Sequence, residues 1–146
     1  MNLVAHIDGS CEGNPGESGC GLVLQTEAGT VLEKWGWYLG RGTNNTAEYH
    51  GLLRCMETIQ KYRVERVLVL SDSQLLVNQI LGRYRVKNPR LAALHQTAVR
   101  LMGESGCQTD VRYVPREQNR EADGLAKKAI RMKSDAHEIL MHPPGA

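Results

Sequence analysis

Val67-Leu68-Val69-Leu70, followed at once by Ser71-Asp72, is a short, wholly apolar run with an abrupt polar end. A run without alternation reads as a strand covered on both faces. Such a strand needs helices above and below it, which makes the chain α/β. Upstream, Leu52, Leu53, Met56 and Ile59 recur at helical spacing to about Tyr62, with Asn44 or Asn45 available as the cap. Before that helix, residues 3–8, 21–25 and 31–38 read as strands, with Gly13-Asn14-Pro15-Gly16 as loop chemistry and Glu27-Ala28-Gly29 as a hairpin connection. Downstream, a helix over 73–81 is closed by Gly82, and Asn88-Pro89 opens another whose stripe is Leu91, Leu94, Ala98, Leu101 and Met102, ending at Gly103. Residues 110–114 give a last strand, and Ala122, Leu125, Ala126, Ala129 and Ile130 the apolar face of a last helix.

The expected architecture is a five-stranded mixed sheet with helices on both faces, in one domain over residues 1–133, followed by an unstructured tail at 134–146. The strands near residues 3–7 and 67–70 should pair in parallel through the intervening helix, which sets their C-terminal ends side by side where open α/β sheets bind ligands. With 146 residues, 41% of them hydrophobic, one core forms without staples. No apolar run approaches the roughly 18 residues of a membrane span. Residues 1–8 lack the features of a secretory signal, which predicts a cytosolic chain whose four cysteines stay reduced. Eighteen basic against sixteen acidic residues leave +2, so any contact with nucleic acid must be local.

Four acids stand in expensive places. Asp8 and Asp72 end the two strands expected to be neighbours. Glu48 lies one turn before Leu52 on an apolar helix face, and Asp123 sits in the first turn of the last helix beside Ala122 and Ala126. Singly, each has an ordinary reading as a turn, cap or dipole acid. Together, without Lys or Arg among them, they would repel one another and raise each other's pKa, and such a cluster suits a hard divalent cation with oxygen ligands, Mg²⁺ above all.

With the motifs HIDGSCEGNPG around Asp8, RGTNNTAEYHGL around Glu48, LVLSDSQLL around Asp72 and REQNREADGLAKKA around Asp123, the sequence resembles the type 1 ribonucleases H over about residues 3–131. The resemblance implies the ribonuclease H-like fold and two Mg²⁺ ions, with Mn²⁺ as a substitute. It also implies Asp8 bridging both ions, Asp123 on the ion that holds the attacking water, and Glu48 and Asp72 on the leaving-group ion. The implied reaction hydrolyses the RNA strand of an RNA/DNA hybrid and leaves 5'-phosphate and 3'-hydroxyl ends.

Further contacts follow from the same resemblance. Cys11, Gly13, Asn14, Asn44 and Asn45 match positions that meet 2'-hydroxyls and base edges, and Ser73, beside Asp72, is a further expected substrate contact. Arg41, Thr43 and Asn88 match a pocket for a phosphate of the DNA strand, and Asn88 also caps a helix. Cys11, Gly13, Asn14, Asn44 and Asn45 have a plain turn-and-cap reading too.

Two departures stand out. Between Gly82 and Lys87 the longer basic helix of many members is missing, leaving Arg83, Tyr84, Arg85 and Lys87 as a reduced basic and aromatic surface. Arg116 stands where many members carry a histidine; a guanidinium can hold a phosphate but is a poor acid or base. The competing reading is a non-catalytic hybrid-binding module of the same fold. A monomer is expected, since such a site needs no partner subunit.

Overall fold

The computed structural model describes residues 1–140. β1 (Asn2–Gly13), β2 (Gly16–Thr26) and β3 (Val31–Gly42) form an antiparallel meander, and α1 (Asn44–Thr58) leads through a 3-10 turn to β4 (Arg66–Ser71). α2 (Gln74–Ile80), α3 (Pro89–Glu104), β5 (Gln108–Tyr113) and α4 (Arg120–Met132) follow, and β6 (Ala136–Ile139) closes the described chain. The sheet order is β5-β4-β1-β2-β3-β6, with β4 parallel to both β1 and β5.

Leu3, Ala5 and Ile7 of β1, Leu22 and Leu24 of β2 and Val67 and Val69 of β4 are buried with Tyr49, Leu52 and Met56 of α1. These side chains form the larger core layer. Among the described residues α4 alone covers the opposite face, packing on β1, β2 and β3. Among the described residues one charge is fully buried: Glu33 accepts hydrogen bonds from Trp35 Nε1 at 2.8 Å, Lys61 Nζ at 2.7 Å and the Tyr62 hydroxyl at 2.5 Å. Its carboxylate is thereby satisfied, as a buried charge must be.

Four expectations are corrected. Among the described residues the sheet has six strands and not five, because residues 136–139 of the supposed tail pair antiparallel with β3. His137 stacks on Trp35 at 4.5 Å between ring centroids, so four residues, three of them exposed, gain a strand's hydrogen bonds and an aromatic contact. Residues 141–146, including Pro143-Pro144-Gly145, lie outside the described residues. The segment around Gly13 and Gly16 is a hairpin tip between strands that run well past Asp8. The α1 cap is Thr43, not Asn44 or Asn45: its hydroxyl accepts from Thr46 N–H at 3.1 Å while the Thr46 hydroxyl accepts from Thr43 N–H at 3.0 Å. That reciprocal pair satisfies two amides that an Asn cap would leave to one side chain. Finally, α1 stops at Thr58 and α3 runs through Gly103 to Glu104.

Candidate metal and nucleic-acid site

The parallel ladder of β1 and β4 ends at the pair Ile7 and Ser71, so Asp8 and Asp72 are the next residues on adjacent strands. Two glycines bring the other acids to them. Gly9 faces α1 at such close range that a Cβ there would lie 2.3 Å from Glu48 N and 2.4 Å from the Ala47 carbonyl carbon. Gly21, paired with Asp8 in the β1–β2 register, faces α4, where a Cβ would lie 2.1 Å from the Ala122 carbonyl oxygen. Both helices therefore rest on bare strand backbone, one presenting Glu48 and the other Asp123.

Carboxylate oxygens of Asp8, Glu48 and Asp72 all lie within 4.8 Å of one another. Asp8 is 4% and Glu48 9% exposed, and Glu48 Oε2 is the one buried side-chain oxygen among the described residues with no hydrogen-bond partner. Burial, and then the neighbouring charges of Glu48 and Asp72, push the Asp8 carboxyl far above the ordinary range. Burial and then Asp72 push Glu48 up as well. An orphaned, desolvated oxygen inside a ring of acids fits a divalent cation with oxygen ligands. Asp123 lines the same cavity, of about 370 Å³, but its carboxylate pairs with Lys127 Nζ at 3.0 Å and stands outside the tight trio.

The other expected residues divide into groups. Asn44, Asn45, Ser73 and Arg116 line the cavity of the acids. Ser73 caps α2, its hydroxyl accepting from Leu76 N–H at 3.1 Å. Asn14 reaches back across the hairpin to accept from Asn44 N–H at 3.1 Å, and Cys11 Sγ lies 3.3 Å from the Gly42 carbonyl oxygen. The hairpin tip, Gly13 included, is thus tied to the start of α1. Asn14, Thr43, Asn45 and Asn88 share a second cavity, of about 300 Å³. There Asn88 caps α3 by accepting from Arg90 and Leu91 N–H at 2.9 and 3.2 Å, so two helix N-termini face one space, which suits a phosphate. Arg41 is exposed and does not line it. Arg83 lines a separate groove between α2 and β5, and Tyr84 is exposed beside it.

Three residues that matter were not singled out in the sequence. Lys127 was hidden in a solvated helix face, four residues after Asp123. Gln79 is buried in α2, its Oε1 accepting from the Tyr49 hydroxyl at 2.6 Å and its Nε2 donating to the Arg85 carbonyl at 3.2 Å. It thereby pins the short connector to α1, next to Glu48. Asn119 is buried at the head of α4; its Nδ2 donates to the Ile7 carbonyl at 2.7 Å, and its own carbonyl accepts from Asp123 N–H at 3.2 Å. It clamps the turn carrying Asp123 to the strand carrying Asp8. Asn119→Ala should cost about 1–3 kcal/mol of stability by stranding a buried carbonyl. It should lower cleavage of a hybrid about 10- to 100-fold at unchanged KM, as loss of a ligand-orienting contact does; melting curves and steady-state kinetics check both.

Residues 6–129 match the family described as reverse transcriptase-like. Ribonuclease HI of Halobacterium salinarum is 33% identical over 127 residues, covering 86% of this chain and 63% of that protein. The bifunctional protein Rv2228c of Mycobacterium tuberculosis is 39% identical over 131 residues, 89% of this chain and 36% of that protein. The chain therefore spans about a third of the mycobacterial relative and under two thirds of the halobacterial one. Among solved structures, RNase H1 from Halobacterium salinarum superimposes with a TM-score of 0.87 at 31% identity, covering 90% of this chain and 99% of that one. LC11-RNase H1, solved in complex with an RNA/DNA hybrid, gives 0.86 at 35% identity, over 90% and 98%. Fold, clustered acids and sequence agree, and the chain belongs to the RNase H1-like family.

Proposed function

We propose that this chain is a metal-dependent endoribonuclease that cuts the RNA strand of RNA/DNA hybrids, leaving 5'-phosphate and 3'-hydroxyl ends. The observation that carries the reading is the trio of clustered carboxylates, two of them buried, with Glu48 Oε2 buried and unpartnered. Asp8, Glu48, Asp72 and Asp123 would hold two Mg²⁺ ions, or Mn²⁺ in their place. Bound there, such ions supply positive charge to the attacking and leaving oxygens of a phosphodiester. The chain's own contribution is to fix the carboxylates in place, through strand ends and close helix contacts, before substrate arrives.

Arg116 and Lys127 on the cavity wall supply fixed or mobile positive charge for the scissile phosphate and its products. Asn14, Asn44 and Asn45 face the RNA strand with amide groups suited to 2'-hydroxyls, and the Thr43–Asn88 cavity takes a phosphate of the DNA strand. The hybrid seen with LC11-RNase H1 supports this choice of substrate. All four acids come from one chain, so a monomer suffices.

The test is cleavage of one end-labelled sequence as RNA/DNA hybrid, duplex RNA, duplex DNA and single-stranded RNA, each with Mg²⁺, Mn²⁺ or EDTA. Cutting confined to the hybrid's RNA strand and abolished by EDTA is expected. Binding of the hybrid without cleavage under any metal would make the chain a binding module instead. Arg116→Ala should slow turnover about tenfold without abolishing it, the scale of one charge-assisted contact. Because a guanidinium stays protonated, the shape of the pH–rate profile should not change.

A further inference from the structure

We infer that Gln79 is a positioning residue for hybrid binding, which fixes the connector between α2 and α3 in the shape that offers its cations to the substrate; the inference rests on the hybrid reading above. Gln79 is 5% and Tyr49 1% exposed. A buried amide costs free energy unless its groups are bonded, and an apolar side chain would fill the same space without that cost. Gln79 offsets it by joining three parts of the chain. The Tyr49 hydroxyl of α1 donates to its Oε1 at 2.6 Å, and its Nε2 donates to the Arg85 carbonyl of the connector at 3.2 Å. His95 Nε2 of α3 donates to its main-chain carbonyl at 3.2 Å, and the His95 ring stands edge-on to Tyr49 with centroids 6.4 Å apart. A fully satisfied network of this kind gives fixed geometry more than net stability.

What the network holds in place is the connector, residues 82–87, exposed throughout except at Val86, which packs against the core. Its first turn is closed by the Asn78 carbonyl, which accepts from Arg83 and Tyr84 N–H at 2.8 and 3.1 Å. Gln79 supplies the next fixed point at Arg85, and the Asn88 cap the last. Arg83, Arg85 and Lys87 enter no ion pair among the described residues. Lys87 directly precedes Asn88, which lines the phosphate cavity together with Arg90. Three unpaired cations leading into a phosphate cavity suit a polyanion. A connector already held in its bound shape spares the substrate the cost of ordering it, so the contribution of Gln79 falls on affinity and not on the chemical step.

The test measures affinity for a short hybrid in EDTA, so that nothing is cut, and KM and kcat with Mg²⁺. Gln79→Met keeps the length of the side chain and loses both amide bonds. It should weaken metal-free binding and raise KM about fivefold, the scale of the ordering cost that a preformed contact avoids, with kcat near the wild-type level. Because it strands the buried Tyr49 hydroxyl, the pair Tyr49→Phe/Gln79→Met, which removes both partners, is measured beside it and should show the same loss of affinity in a better-folded chain. The connector variant Arg83→Ala/Arg85→Ala/Lys87→Ala should bind more weakly still, with a flatter salt dependence, and adding Gln79→Met to it should change affinity no further. A lowered kcat at unchanged KM, a loss that adds in full to that of the connector variant, or wild-type affinity in the connector variant overturns the inference. Failure of the wild-type chain to cut the hybrid with metal sinks the catalytic reading instead, and the titration in EDTA still scores Gln79.

Discussion

Asp8→Asn gives a protein that still folds and no longer cuts. Removing one electrostatic contact from a reaction centre typically costs a hundred- to a thousandfold, and Asp8 adjoins two further acids, so cleavage should fall by at least about a thousandfold. The metal-free variant should also melt higher than the parent at neutral pH, because an amide is neutral without the proton that the buried Asp8 carboxyl must take up to sit beside Glu48 and Asp72. Each kcal/mol recovered raises Tm by about 2 to 4 °C in a chain of this size. Retained cleavage would remove Asp8 from the site.

The same strain gives a signed pH dependence. Asp8 and Glu48 have raised pKa values when folded, so the folded state holds protons that the unfolded state releases above its ordinary carboxylate range near 4. Without metal, stability should therefore fall as pH rises from about 4 through neutrality. The slope should flatten in Asp8→Asn and on adding Mg²⁺, which binds the deprotonated, folded form. Thermal melts at several pH values, with EDTA or Mg²⁺, read it directly; a pH-independent Tm would mean that the acids are not coupled to folding.

Gly9→Ala should produce the largest loss of stability. Its Cβ would lie under 3 Å from three main-chain atoms of Ala47 and Glu48, and main chain cannot swing aside as a side chain does. Overpacking of this kind costs about 3 kcal/mol, equivalent here to about 6 to 12 °C. Cleavage should be lost well below the new Tm, because relief of the clash lifts Glu48 away from Asp8. The control is Gly103→Ala in α3, where nothing lies within 4 Å of the added methyl. That change should be neutral or stabilise by up to about 1 kcal/mol, since alanine is the better helix former. Equal melting of the two variants would dismiss the close approach at Gly9 as a constraint.

The acids were legible in the sequence because each sits where hydrophobic periodicity asks for an apolar or turn residue. The order of strands and helices through α4 followed from the same periodicity. β6 was not legible: its four residues carry no strand pattern, and their conformation comes from pairing with β3 and from Trp35 beneath His137. Thr43 was passed over as cap because Asn44 and Asn45 are equally good cap residues by type, and only the reciprocal bonds with Thr46 decide among them. Asn119 was not singled out, since its value lies in reaching the carbonyl of Ile7, 112 residues away. Lys127 repeats the ordinary pattern of a solvated helix face, so its pairing with Asp123 carries no signal in one sequence.

At Gly21 the turn of α4 that carries Asp123 lies against main chain, with no side chain between them to serve as a spacer. The gap between strand and helix is then gauged by the radii of backbone atoms, which no substitution elsewhere can alter. The aperture of the acid cluster is accordingly uncoupled from drift in the composition of the core. A chain can replace most of its interior and keep its ligand spacing, as long as this position on β2, and Gly9 on β1 beneath Glu48, stay bare.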